Sequence, residues 1–315
     1  MRSKTHTQKS DTKEHALIPV SRHSTRTQSA MEYLMTYGWS ILVIAIVLGV
    51  LYYLGVFNSA NLVPKAHPGS CQVFRPNGPN TNQFIALEGT CTGEIPEYVT
   101  RFNGASSVIY YTPLTPALAP NEVTVSAWVM LSSTPSAYDR IVCVGSSYPY
   151  EDYYLEDSPG SPTLLNFEAD VGNSLHPSPW TSSIATGTWY FLAGTYNGSY
   201  LEAYLDGVPL PDPTAISGAL SSNVMGYFTL GNDCGAGNNF DGLIANVQIY
   251  NTSLSANAIA ALYDEGIGGA PIDLQNLVGW WPLNGNAQDY SGNLNNGVPS
   301  SIAYSSSWTS GYTAP

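Results

Sequence analysis

Two dipeptides, Asn197-Gly198 and Asp206-Gly207, constrain the fold of this chain more than any other feature. Trp189–Tyr196 leads into the first, Ser199–Leu205 joins the two, and Val208 follows the second. A type I′ hairpin needs positive φ at both central residues, and Asn-Gly or Asp-Gly adopts it most readily. The spacing predicts three antiparallel strands in succession. Val123, Val125, Ala127, Val129 and Leu131 alternate with Thr124, Ser126, Trp128 and Met130, the period of two of a half-buried strand. Ile141–Gly145, Leu164–Phe167, Phe228–Gly231, Leu243–Tyr250 and Trp280–Leu283 are further short apolar runs. Leu254–Tyr263 instead reads as a helix, capped by Ser255 and ended by Gly266. The expected fold class is mainly β, an antiparallel jelly-roll sandwich.

Ahead of this head lies Gln28–Phe57, the only stretch apolar enough for a membrane. No side chain between Tyr33 and Pro64 is charged. Thirty helical residues span about 45 Å at about 1.5 Å each, against a hydrocarbon core of about 30 Å. Tyr33, Tyr37 and Trp39 near one end, and Tyr52, Tyr53 and Phe57 near the other, suit interfacial aromatic belts. Ala45 and Gly49 form a small-xxx-small pair that permits close helix approach. Glu32 is the exception. An acid at an apolar boundary reaches water or finds a partner, so Glu32 is an interfacial anchor or the partner of a free α-amino group.

Charge divides the chain at the same place. Of ten basic residues, six precede Gln28, beside only Asp11 and Glu14. After Gln28, four basic residues face 21 acidic ones, a net of −17 that disfavours nucleic acid as a partner. A basic tail before an apolar span predicts a cytoplasmic N-terminus and an extracellular head. The expected divisions are 1–27, a basic leader; 28–57, a long N-terminal transmembrane helix; 58–98, a proline-rich neck with one short strand at Phe84–Gly89; and 99–315, the head. Cys71, Cys91, Cys143 and Cys234 all fall on the outer side, where an even count favours disulfides. Three pairings exist; proximity favours Cys71–Cys91, which leaves Cys143–Cys234. Asn197 and Asn251 open glycosylation sequons.

A basic residue, then Gln-Ser-Ala-Met-Glu-Tyr-Leu, then an apolar helix resembles the class III signal peptide of archaeal type IV pilin-like proteins. The resemblance implies cleavage by a prepilin-type peptidase between Thr27 and Gln28. It also implies self-association through the mature helix, with Glu32 as the assembly carboxylate.

In the head, RFNGASSVIYY, VTVSAWV, TWYFLAGTYNGSYLEAYLDGV, FDGLIANVQIYNTSLSANAIAALY and LVGWWPLNGNAQDYSGNLNNG resemble the laminin-G-like, concanavalin A-like jelly roll. In that family the WWPLNG-type strand comes first, whereas here Leu277–Gly285 is last. This implies a circular permutation closed within the chain, in preference to strand exchange with a neighbour. The fold carries lectins, adhesion modules and enzyme appendages alike. A rim Ca2+ site would draw on Glu151, Asp152 and Asp233, with Glu156 and Asp157 nearby. Asn103 and Ala245 replace acids usual in the family, and the simpler reading is a solvated acidic loop. A carbohydrate ligand would use Tyr148, Tyr150, Tyr153, Tyr154 and Trp180. Glu168-Ala-Asp170 matches two acids of the glucanase ExDxE array, but Gly172 stands third. No nucleophile or metalloprotease motif is present. The sequence therefore reads as a non-enzymatic surface protein, pilin-like and lectin-headed; the alternative is a single-pass anchored lectin that does not polymerise.

Overall fold

The computed structural model describes residues 26–53, 71–76, 82–87, 96–146, 149–222, 226–235 and 237–315. The chain divides into two compact units, Met1–Lys65 and Ala66–Pro315. The first holds helix α1, Arg26–Tyr53, whose described side chains, Tyr37–Val50, are exposed. Among the described residues no helix is long and apolar enough to cross a membrane. The expected span, Gln28–Phe57, extends past those described side chains at both ends.

In the second unit, β1 (Cys71–Pro76) and β2 (Asn82–Leu87) pair as an antiparallel hairpin where one strand was expected. Cys91, and with it the Cys71–Cys91 pairing, lies outside the described residues. The head continues with β3 (Val99–Asn103), β4 (Val108–Tyr111), β5 (Val123–Leu131), β6 (Arg140–Gly145) and β7 (Glu151–Asp157). Next come β8 (Leu165–Asp170), β9 (Leu175–Pro177), β10 (Trp189–Tyr196), β11 (Tyr200–Leu205), β12 (Val208–Pro209) and β13 (Thr214–Ala215). Then follow β14 (Tyr227–Leu230), β15 (Asp241–Tyr250), helix α2 (Ala256–Asp264), β16 (Leu277–Trp281), β17 (Val298–Ser300) and β18 (Ala303–Ser305).

These strands form two antiparallel sheets, the expected jelly-roll sandwich. The first runs β12-β11-β10-β5-β15-β3-β18, with β13 on β11 and β16 on β15. The second runs β17-β4-β14-β6-β7-β8-β9. The alternation in β5 is real, yet nearly every β5 residue is buried. Val123, Val125, Ala127, Val129 and Leu131 enter the core between the sheets. Trp128 enters a second core on the opposite face, with Ile259 and Leu262 of α2. Its ring stacks on Tyr263, centroids 5.6 Å apart. A sheet covered on both sides buries polar and apolar positions alike.

The two predicted hairpin turns differ. Asp206 (φ 49°) and Gly207 (φ 76°) both have positive φ, as type I′ requires. At the other turn only Gly198 does (φ 85°). Asn197 instead accepts backbone hydrogen bonds at Oδ1 from Ser199 and Tyr200, closing a three-residue loop.

Strand β15 explains how the last-placed strand is accommodated. On one edge it pairs with β3 over Asp241–Ile244 and with β16 over Val247–Tyr250. The two partners share that edge end to end, and β16 comes from the same chain. Trp280 and Trp281 point to opposite faces. Trp281 stacks on Phe228 at 4.0 Å between centroids and donates from Nε1 to the Asn295 carbonyl. Trp280 enters the outer core and donates to Asn246 Oδ1. Trp281→Ala is expected to lower unfolding free energy by about 3–5 kcal/mol, the cost of emptying a buried aromatic site. Urea titration checks this, and a midpoint close to wild type would contradict the assigned place of β16.

Candidate functional site

Strand β7 has the sequence EDYYLED, four carboxylates in seven residues, and every one of its residues is buried. This corrects the expectation of a solvated acidic loop. Tyr153 and Leu155 face the inter-sheet core. Tyr154, on the other face, packs with Leu175 and the Cys143–Cys234 disulfide, one of the expected pairings. The bridge ties the loop after β14 to β6 and so brings Asp233 over the sheet.

Burial of these acids depends on Arg140, whose side chain is 6% exposed. Its Nη1 donates to Glu156 Oε2, its Nη2 lies 3.4 Å from Glu151 Oε1, and its Nε lies 3.9 Å from Asp233 Oδ1. The guanidinium also lies over the Tyr154 ring, 3.9 Å from the centroid. Burial pushes the Glu156 carboxyl well up; Arg140 opposes this, and neighbouring Glu168 adds to it. Burial also raises Glu151, with a smaller contribution from Asp233. One guanidinium thus fills the space on which Glu151, Glu156 and Asp233 converge. Calcium takes six to eight oxygens and would meet a resident cation, so the expected Glu151–Asp152–Asp233 metal site does not fit. Among the described residues no group of three or more His, Cys, Asp or Glu is placed to hold a metal.

Asp152 faces elsewhere. In the β7–β8 ladder Tyr153 sits opposite Ala169, so the next positions outward are Asp152 and Asp170. Both line a groove of about 670 Å³, with Tyr150, Asn173, Ser221 and Ser222 around them and Pro149 and Leu175 at its walls. Local turns build it. Gly172 (φ 68°) and Asn173 (φ 65°) reverse the chain between β8 and β9. The Asp170 carbonyl accepts from Ser221 N at 2.9 Å, and the Ala219 carbonyl accepts from Gly172 N at 3.2 Å, so the 219–222 segment is held against the end of β8. Tyr150 is 68% exposed at the mouth. Asp152 and Asp170 are buried, and Asp170 Oδ1 has no hydrogen-bond partner. Among the described residues no Lys, Arg or His lines the groove. It offers one aromatic face and mostly acceptor groups.

A smaller pocket of about 370 Å³ at the sandwich rim is lined by Asn103, Ser133, Asp139, Asp157 and Asp241, among others. Its polar groups largely satisfy one another. Asn103 Oδ1 accepts from the backbone of Ala105, Ser106 and Ser107, filling the role expected of an acid there. Ser133 donates to Asp241, and Asp139 N donates to Asp157 Oδ1. Burial lifts the Asp157 carboxyl to about 8, with Asp139 adding to the effect. Asp139 itself is lifted to about 6, again by burial.

Of the four aromatic candidates among the described residues, only Tyr150 lines the groove. Tyr153 is in the core and donates to the Leu118 carbonyl; Tyr154 lies under Arg140; Trp180 packs on Tyr138; and Tyr148 is outside the described residues. Asn197 and Asn251 are exposed. Thr27, Gln28 and Glu32 lie within α1, their side chains outside the described residues. Asp170 and the two serines carried no strong signal in sequence. Asp170 was visible only within Glu168-Ala-Asp170, and the serines reach the site from another segment.

The family described as concanavalin A-like lectin/glucanases superfamily matches residues 103–260. No curated protein matches the chain. Among solved structures, a "putative carbohydrate binding protein" from Bacteroides ovatus aligns at TM-score 0.50 and 16% identity. That alignment covers 67% of this chain and 60% of that one. A heptameric SAP-like pentraxin from Limulus polyphemus aligns at TM-score 0.48 and 15% identity, covering 67% of this chain and 95% of that one. Domain 4 of an extracellular arabinanase from Geobacillus stearothermophilus, in complex with arabinotriose, aligns at TM-score 0.39 and 19% identity. It covers 62% of this chain and 82% of that one.

The rim pocket generates a pH prediction. Asp139 and Asp157 hold protons more tightly folded than unfolded, where a carboxyl titrates near 4. Their contribution is most favourable below that value and is lost as pH rises towards 8, because the folded state binds more protons across this window. The urea midpoint is expected to fall between pH 5 and pH 8, and Asp157→Asn, which keeps an acceptor for Asp139 N, is expected to flatten the fall. An equally steep profile for the variant would remove Asp157 from the account.

Proposed function

Because the chain belongs to the concanavalin A-like lectin/glucanases superfamily, we propose that it is a non-enzymatic surface protein whose jelly-roll head binds carbohydrate in the Tyr150–Asp152–Asp170 groove. The observation that carries this reading is the pairing of an exposed tyrosine with buried acceptor side chains in one concave site. Sites for small polar ligands combine an apolar or aromatic wall with a few placed polar groups. The ring face of Tyr150 packs on the C–H face of a sugar. Asp152, Asp170 and the neighbouring serines accept hydrogen bonds from its hydroxyls.

The finer part of the proposal concerns the first unit. We read it as a pilin-like helix, cut between Thr27 and Gln28 by a prepilin-type peptidase and stored in the membrane before assembly. Support comes from the uncharged run Tyr33–Pro64, the basic residues before Gln28 and the helical backbone of Arg26–Tyr53. In a filament Glu32 pairs with a neighbour's α-amino group. A lone anchored lectin is the second reading, favoured by the same groove and indifferent to Glu32.

Tyr150→Ala is expected to weaken glycan binding roughly tenfold, from the loss of about 1–1.5 kcal/mol of ring contact, with unchanged thermal stability. Calorimetry on the full chain with a ligand drawn from a glycan array reads this; unchanged affinity would move the site elsewhere. Co-expression with a prepilin-type peptidase is expected to give a mature N-terminus at Gln28, and Glu32→Ala is expected to abolish filaments seen by electron microscopy. An N-terminus at Met1 sinks the processing step, and normal filaments of the variant sink the pairing role.

A further inference from the structure

Resting on the carbohydrate reading of the same groove, we infer that it selects sugars bearing a free, protonated amine over their neutral or N-acetylated counterparts. The β7–β8 register places Asp152 and Asp170 in opposing positions, beyond the pair Tyr153 and Ala169. Like charges directly opposite across a sheet are destabilising. Here both carboxylates are also buried, Asp152 at 1% exposure and Asp170 at 6%. The guanidinium of Arg140 is committed to Glu151, Glu156 and Asp233. Among the described residues no basic side chain lines the groove, and the unpartnered carboxyl oxygen there belongs to Asp170.

Asp170 supplies the independent observation. Its Oδ1 is buried without a hydrogen-bond partner, in a side chain that forms part of the groove wall. A buried carboxyl oxygen without a donor is costly, and an ammonium group supplies both a donor and a positive charge. A neutral hydroxyl supplies only the donor. Tyr150 adds an exposed ring at the mouth, a surface that attracts cations through its π face. A carboxylate pair beside an aromatic face is ammonium-binding chemistry. For a polysaccharide it corresponds to a polymer of deacetylated amino sugars. The groove brings two carboxylates together, and among the described residues no group of three or more His, Cys, Asp or Glu is placed to hold a metal.

The test compares three oligosaccharides of equal length and linkage on the full chain: a glucosamine oligomer, its N-acetylated form and a neutral glucose oligomer. Calorimetry without divalent cations is expected to show about tenfold tighter binding of the glucosamine oligomer. Asp170→Asn is expected to abolish that preference, whereas Tyr150→Ala weakens all three. If Asp170→Asn fails to fold, the wild-type comparison stands alone. Equal affinity for the three ligands overturns the charge selection and leaves the carbohydrate reading intact. Binding that requires calcium and vanishes with a chelator overturns it in favour of a metal-bridged site. Binding of none of the three removes both readings together.

Discussion

The arrangement of the second sheet depends on one buried guanidinium. Without Arg140, Glu151, Glu156 and Asp233 would share a low-dielectric interior with no cation among them. Removing one member of such a network costs more than the network contributes, because the remaining charges stay buried. The disulfide fixes the geometry of this balance. It anchors Cys234, the residue after Asp233, to Cys143 on β6, three residues from Arg140. Protons complete it, since burial holds Glu151 and Glu156 above the usual carboxylate range. With β7 fixed as an internal strand, Asp152 has a defined position at its edge instead of the freedom of a loop.

The first sheet is stabilised differently, through cover on both faces. Its outer core draws on α2, on Trp280 of β16 and on Trp308 near the C-terminus. Trp308 donates from Nε1 to the Pro96 carbonyl, and Trp189 donates from its own Nε1 to the Trp308 carbonyl. The entry to the head and its final segment are therefore bonded to each other and to β10. Late in the sequence as it is, the Trp280–Trp281 strand still joins this sheet, because β16 fills the half of β15 that β3 leaves unpaired.

The sequence made the sandwich, the Asp206-Gly207 turn and the Ser255 cap legible, because each rests on local chemistry. Ser255 Oγ does accept from Ala258 N, and Gly266 takes positive φ beyond the helix end. What it concealed rests on distant partners. EDYYLED reads as a solvated loop until Arg140 and Asp233 are seen around it. Asn197-Gly198 reads as a two-residue turn until the Asn197 side chain is seen closing a longer loop. The groove was half visible: Tyr150 and Asp152 lie in one acidic, tyrosine-rich run, whereas Asn173, Ser221 and Ser222 join them only through the β8–β9 turn and the segment bonded to it.

That turn also separates this head from the glucanase pattern its sequence partly follows. Glu168 and Asp170 share a face of β8, as the first two acids of an ExDxE array would. Glu168 accepts from the Tyr154 hydroxyl and from Asn166 and neighbours Glu156, within the Arg140 network. Asp170 opens into the groove. The third position is Gly172, at φ 68°, where an L-residue is strained. The chain has already left the strand there to form the turn that carries Asn173. A third carboxylate on that face and a groove closed by that turn are alternatives for one backbone, and this backbone makes the turn. The two acids therefore stand in different settings, one in the buried ion network and the other in the groove wall.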